Sequence, residues 1–156
     1  MIDVRDAQKS DTGAIAALLE QVLTIHHNAR PDIFKEGVRK YTDEEIEEIL
    51  LDAGKRIFVA ELDGKVVGYA FIIFKETKND NILCDSKSLY IDDLCIDESV
   101  RGAGVGTAIF KYLKAFAYHT NCNSITLNVW EANHTAKKFY EKMGLIPQKT
   151  IMEMTL

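Results

Sequence analysis

The sequence predicts an α/β (α+β) fold: a mixed, mostly antiparallel sheet of six to seven strands with helices on both faces. Two observations carry this. The order of elements reads strand, two helices, hairpin, strand, helix, strand, helix, strand, which interleaves sheet and cover. Asp63-Gly64 then separates two apolar runs, the strongest two-residue hairpin signal, so the second and third strands pair antiparallel.

Ile2 to Arg5 is a short alternating strand, and Ser10 or Asp11 caps a first helix with Ile15, Leu18, Leu19, Val22 and Leu23 on one face. That helix runs out near His26-His27-Asn28-Ala29-Arg30-Pro31, because Pro31 biases Arg30 away from helix. Thr42, with Glu45 three residues on, opens a second helix through a capping box; it buries Ile46, Ile49 and Leu50, leaves Glu44, Glu47 and Glu48 outside, and ends at Gly54. Ile57 to Leu62 and Val66 to Phe74 form the hairpin, and Lys75 to Lys87 is a polar connection. Leu89 to Asp97 is the central strand, followed by a helix with Ala108, Ile109, Tyr112, Leu113 and Phe116 on one face. Ser124 to Trp130 is β-rich, Asn133 caps a last helix with Ala136, Phe139, Tyr140 and Met143 inward, and Pro147 introduces a final strand, Lys149 to Leu156.

A chain of 156 residues is expected to make one domain over 1–156. No apolar run approaches the ~20 residues that span a bilayer, and the start, MIDVRDAQKS, lacks the basic end and apolar centre of a signal peptide, so a cytoplasmic protein with no membrane partner is expected. Cys84, Cys95 and Cys122 have no C-x-x-C spacing, which points to reduced thiols and to no metal. A net charge of -5 argues against a nucleic-acid partner.

The chemistry centres on Arg101-Gly102-Ala103-Gly104-Val105-Gly106-Thr107, between the central strand and its helix. Glycines at alternate positions bare the backbone, and the helix adds unpaired N–H groups and the positive end of its dipole: a phosphate cradle. A P-loop needs a lysine after the turn, which is absent, and a G-x-G-x-x-G fingerprint needs its third glycine one residue later. R-x-x-G-x-G between strand and helix closely resembles the GNAT superfamily of acetyl-CoA-dependent N-acetyltransferases. Asn133-His134-Thr135-Ala136-Lys137-Lys138-Phe139-Tyr140-Glu141-Lys142-Met143-Gly144-Leu145 is similar to that family's N-x-x-A-x-x-F-Y-E-K-x-G-F segment, with Leu145 in place of the usual aromatic. Asn133, Ala136 and Tyr140 share one helix face.

The resemblance implies acetyl-CoA as co-substrate, with its pyrophosphate in the loop from Arg101 to Thr107 and contacts from Asn133, Ala136 and Tyr140. It also implies that two central parallel strands splay, with Leu94, Cys95 and Ile96 pairing with pantetheine and the Leu94 N–H acting as oxyanion donor, a kind of contact worth ~3 to 4 kcal/mol elsewhere. Tyr140 stands where a proton donor to the leaving thiolate is expected. An amine near pKa ~10.4 must lose a proton, so a base is useful. By two-residue alternation Tyr90, Asp92, Leu94 and Ile96 share one strand face, with Ile91, Asp93, Cys95 and Asp97 on the other. Position 92 resembles a family base position, so Asp92 is taken first and Asp93 second, while Asn128 stands where some relatives carry a glutamate. His26, His27, Arg30 and Asp32 lie where the family builds its acceptor pocket.

The resulting expectation is direct acetyl transfer to a primary amine of a small molecule, with a second copy of the chain as a partner in a homodimer. A peptide or protein acceptor and a non-catalytic acyl-CoA sensor are the alternatives.

Overall fold

The computed structural model describes residues 1–156. Its elements run β1 (Ile2–Asp6), α1 (Thr12–Ala29), α2 (Asp43–Leu51), β2 (Lys55–Leu62), β3 (Lys65–Thr77), β4 (Ser86–Ile96), α3 (Val105–His119), β5 (Ser124–Leu127) and α4 (His134–Lys142). The strands lie in chain order in one sheet; every neighbouring pair is antiparallel except β4–β5, which is parallel.

Local chemistry explains the boundaries. Asp63 and Gly64 both take positive φ, 51° and 78°, as a tight two-residue hairpin between right-twisted strands requires. Thr42 and Glu45 exchange both capping-box hydrogen bonds at the start of α2. That helix stops at Leu51 rather than at Gly54, because Asp52 turns extended and its carboxylate accepts the Gly54 N–H at 2.7 Å. Asp11 precedes α1, but its carboxylate takes the Arg5 guanidinium at 2.8 and 3.0 Å and the Gln8 N–H instead of capping the helix. The two apolar faces of the sheet then bury against different helices. Phe58, Ala60, Ala70, Ile72, Leu89 and Ile91 pack on Val105, Ile109, Phe110 and Leu113 of α3. Ile57, Val59, Tyr69, Phe71 and Cys95 pack on Ile15, Leu18 and Leu19 of α1 and Ile46 and Ile49 of α2. Each fully buried aliphatic side chain contributes about 1.5–3 kcal/mol, so the two layers hold the sheet between them.

Two irregularities in β4 matter for the site. Phe71 pairs with Asp93 but the next residue, Ile72, pairs with Ile91, so Asp92 is an extra residue, a bulge. The parallel pairing with β5 covers only Ser88–Ile91 against Ser124–Leu127, so β4 continues from Asp92 to Ile96 without a neighbour on that side.

Three sequence expectations are corrected. The sheet has five strands, not six or seven. The β-rich run after α3 contracts to Ser124–Leu127, because the parallel ladder ends where β4 bulges away. Lys149 to Leu156 is not a strand: it pairs with neither edge of the sheet, and Ile151, Met152, Met154 and Leu156 are all more than four-fifths exposed, with no layer of this chain covering them.

Candidate active site

The loop between β4 and α3 is a nest of open main-chain donors. The N–H groups of Gly102, Gly104, Val105, Gly106 and Thr107 reach no main-chain acceptor; Arg101 and Ala103 spend theirs on the Glu98 and Val100 carbonyls. Gly102 and Gly104 hold φ at 85° and 88°, and a Cβ on either would meet nothing within 4 Å, so the requirement for glycine there is conformational. Gly106 has a different reason: its Cβ would fall 3.2 Å from Phe139, so its bareness lets α3 lie against α4. Gly104 gives α3 no side-chain cap, which leaves the helix's positive end open to an anion. This donor set fits a diphosphate.

The unpaired half of β4 leads from that loop. Its main-chain directions follow from two contacts. The Cys95 carbonyl faces Gly68 of β3, whereas the Ile96 carbonyl accepts from Arg101 Nε at 3.4 Å on the opposite side. With alternation, Leu94 and Ile96 present their N–H and C=O groups to the gap between β4 and β5. Cys95 spends its own on β3, so it stands beside that line of groups without joining it. Its buried thiol is pushed up to about 12, first by desolvation.

The bulge changes where the carboxylates go. Strict alternation puts Asp92 and Asp93 on opposite faces; the extra residue turns both toward α1 and α2. Asp92 accepts the Tyr41 hydroxyl, whose ring stacks on Phe71 at 5.1 Å, and Lys40 Nζ lies 2.9 Å from its Oδ2 and 3.0 Å from its main-chain carbonyl. Asp93 accepts the Tyr69 hydroxyl at 3.4 Å and the neighbouring Leu94 N–H, and desolvation pushes its carboxyl up to about 6 against the lowering influence of Lys40. Burial also raises the Tyr69 and Tyr41 phenols, so both stay donors.

The segment between α1 and α2 closes this side. His26 packs on Phe34 with centroids 5.0 Å apart, and Phe34 meets Trp130, just beyond β5, edge-on at 5.2 Å. His27 Nδ1 contacts the Phe34 carbonyl at 2.7 Å. Arg30 lies over Trp130 and is held by Asp32 at 2.7 Å and Glu153 at 2.6 Å. His27, Arg30 and Asp32 therefore pin the segment, while His26, its pKa lowered first by burial and then by Lys40, faces the carboxylates' side. Lys40, Tyr41, Phe34, Tyr69 and Trp130 were not anticipated. Apolar spacing marks aromatics as core and carries no sign of which ring borders a gap.

From α4, Asn133 Oδ1 accepts the Ala136 N–H at 3.1 Å, so the amide caps the helix and keeps only its NH2 to offer. Burial first and the Asp93 carboxylate second raise the Tyr140 phenol well above its ordinary value, and its hydroxyl donates to no other side chain. Asn128 Nδ2 donates instead to the Tyr90 hydroxyl at 3.2 Å. The site thus sets Tyr140 within electrostatic reach of Asp93, whose neighbours Asp92 and Leu94 lie on the same stretch of β4.

Fold and site define a mixed α/β protein with a main-chain phosphate nest beside a parted pair of parallel strands. The chain belongs to the acetyltransferase (GNAT) family, whose model matches residues 19–145. It is 35% identical over 95 residues to an uncharacterized N-acetyltransferase of Methanocaldococcus jannaschii, covering 60% of this chain and 54% of that one. The chain spans about half the length of the curated relatives it matches. Among solved structures, a mutant of the BH1408 protein from Bacillus halodurans superimposes with a TM-score of 0.95 at 29% identity, covering 99% of each chain. An aminoglycoside N-acetyltransferase, AAC(6')-Iy, in complex with CoA shares the fold with a TM-score of 0.74 at 16% identity over 99% of this chain and 98% of that one.

Proposed function

We propose that this protein moves acetyl from acetyl-CoA to a primary amine of a small molecule by direct attack in a ternary complex. The observation that supports this most is the adjacency of two main-chain surfaces, the open amides of Gly102, Gly104, Val105, Gly106 and Thr107 and the Leu94 and Ile96 groups that no strand pairs in the gap. One suits a diphosphate and the other an extended amide-bearing arm.

Acetyl-CoA, when bound, supplies the activated acetyl thioester. Arg101 adds a cation at the loop, while Asn133 and Ala136 border the arm. The Leu94 N–H is aimed where negative charge develops on the acetyl oxygen. Asp93 receives the amine proton: it has no cationic partner within hydrogen-bond reach, and a carboxyl near 6 is ionised at neutral pH yet a better base than an ordinary one. Asp92, taken first from the sequence, anchors Tyr41 and Lys40 instead. Tyr140, protonated and unengaged, donates to the leaving thiolate. The raised Cys95 thiol is a poor nucleophile, which favours direct attack over an acetyl-enzyme. A small acceptor is favoured over a peptide because His27, Arg30 and Tyr41 pin the α1–α2 segment across the site, where a peptide needs an open groove.

An acceptor screen with free-thiol detection, comparing polyamines, amino sugars, amino acids and peptides, tests this. Turnover with small amines is expected. Turnover confined to peptides would transfer the activity to a protein substrate, and acetyl-CoA binding without transfer to any amine would make the chain a sensor.

We also propose a homodimer held through residues 146–156. Ile146, Ile151, Met152, Met154 and Leu156 are each exposed within eleven residues of chain, and β5 has a free outer edge. Light scattering should give twice the chain mass, falling to one chain mass when the segment after Pro147 is removed; a monomeric intact chain would rule the dimer out.

A further inference from the structure

One amine of this chain already sits where an acceptor amine is expected. Lys40 reaches from the α1–α2 segment to β4, with Nζ on both the carboxylate and the main-chain carbonyl of Asp92. That carbonyl is two residues before Leu94, under ~7 Å along the strand from the N–H proposed to hold the acetyl oxygen. The side chain remains 40% exposed and its flexible four-carbon stem leaves the ammonium free to shift toward the gap. Its charge is felt by Asp93 and by His26, which places all three groups on the same side of β4.

We propose that Lys40 is a self-acetylation site. The inference rests on the acetyl-CoA reading above. The ammonium gives one proton to the carboxylate pair, the free amine attacks the thioester carbon, the new N–C bond forms as the C–S bond breaks, and the second N–H proton leaves with the thiol. The products are acetyl-Lys40 and CoA, with one proton released to solvent. Acetylation removes the cation from Asp92, so the modified site carries one more uncompensated negative charge and binds cationic acceptors more tightly.

The full chain is incubated with acetyl-CoA, and acetylation is mapped by peptide mass spectrometry. One acetyl group per chain on Lys40 is expected, at least about tenfold faster than on exposed Lys65 or Lys111, with a rate independent of protein concentration. Lys40→Arg, which keeps the charge beside Asp92, should lose it. A second readout needs no transfer: unacetylated CoA should slow amine-reactive labelling of Lys40 and leave Lys65 unchanged. Acetyl transfer to free amines with Lys40 unmodified would overturn this inference and leave the enzyme reading intact, as would Lys40 labelling indifferent to bound CoA. Failure of CoA to bind would overturn both.

Discussion

The two halves of the site are made of different material. The proposed coenzyme half is main chain: the open amides of Gly102, Gly104, Val105, Gly106 and Thr107 and the Leu94 and Ile96 groups that face the gap without a partner strand. The proposed acceptor half is side chain: Asp92 tied to Tyr41 and Lys40, Arg30 tied to Asp32 and Glu153, and rings of His26, Phe34 and Trp130 in contact. A main-chain seat depends on backbone conformation and tolerates most side-chain changes that keep it. The acceptor seat depends on pairs whose members come from distant parts of the chain, so single substitutions should alter its selectivity without unfolding it.

The sharpest break between the halves is expected at Asp93. Asp93→Asn should cut kcat by about 10²- to 10⁴-fold with CoA affinity unchanged, and should abolish an acid limb in kcat/KM centred near 6 in the parent. The stability effect has the opposite sense. A carboxyl held above its unfolded value keeps its proton more tightly when folded, so its contribution is fully present below about 4 and is lost as pH rises through about 6. Asp93→Asn should therefore raise Tm at pH 7 and leave it nearly unchanged at pH 4, measured by calorimetry; a lower Tm at pH 7 would mean that the ionised carboxylate stabilises the fold.

Tyr140→Phe should slow turnover by about 10²-fold, with little change in coenzyme Kd; unchanged turnover with the best acceptor would remove the phenol from the acid role. Gly104→Ala should weaken coenzyme binding by about 10- to 100-fold through backbone strain of about 1–3 kcal/mol alone, since the added methyl meets nothing. Calorimetric titration should show the weaker coenzyme binding, and steady-state kinetics should find acceptor KM unmoved. The smallest effect is expected at the acceptor rim. Alanine at His26 should change acceptor KM several-fold through lost packing on Phe34 and leave CoA affinity alone; no change in KM would make the ring scaffold.

Legibility divided along the same line. The glycine loop, the Thr42 capping box, the Asp63-Gly64 turn and the Asn133 cap are contiguous signals with local physical causes, and the structure builds each of them. The bulge at Asp92 has no such signal. A strand read by strict alternation sends Asp92 and Asp93 to opposite faces, and only the pairing of Phe71 with Asp93 and Ile72 with Ile91 shows otherwise. The last strand fails for a related reason: Ile151 to Leu156 has strand-like composition, but a strand exists only with a partner edge, and none of this chain's is taken up by it.

The sequence by itself determined the order of elements as far as α4, the conformation of the glycine loop and the two caps, because each is signalled by residues close together in the chain. The tertiary structure alone decided how far β4 and β5 stay paired, which carboxylate pairs with Lys40 and accepts the Tyr41 hydroxyl, and which stands without a cation. Those outcomes depend on groups some fifty positions apart, as with Tyr41 and Asp92, and the energies of such contacts exist only once the two cores have brought them together.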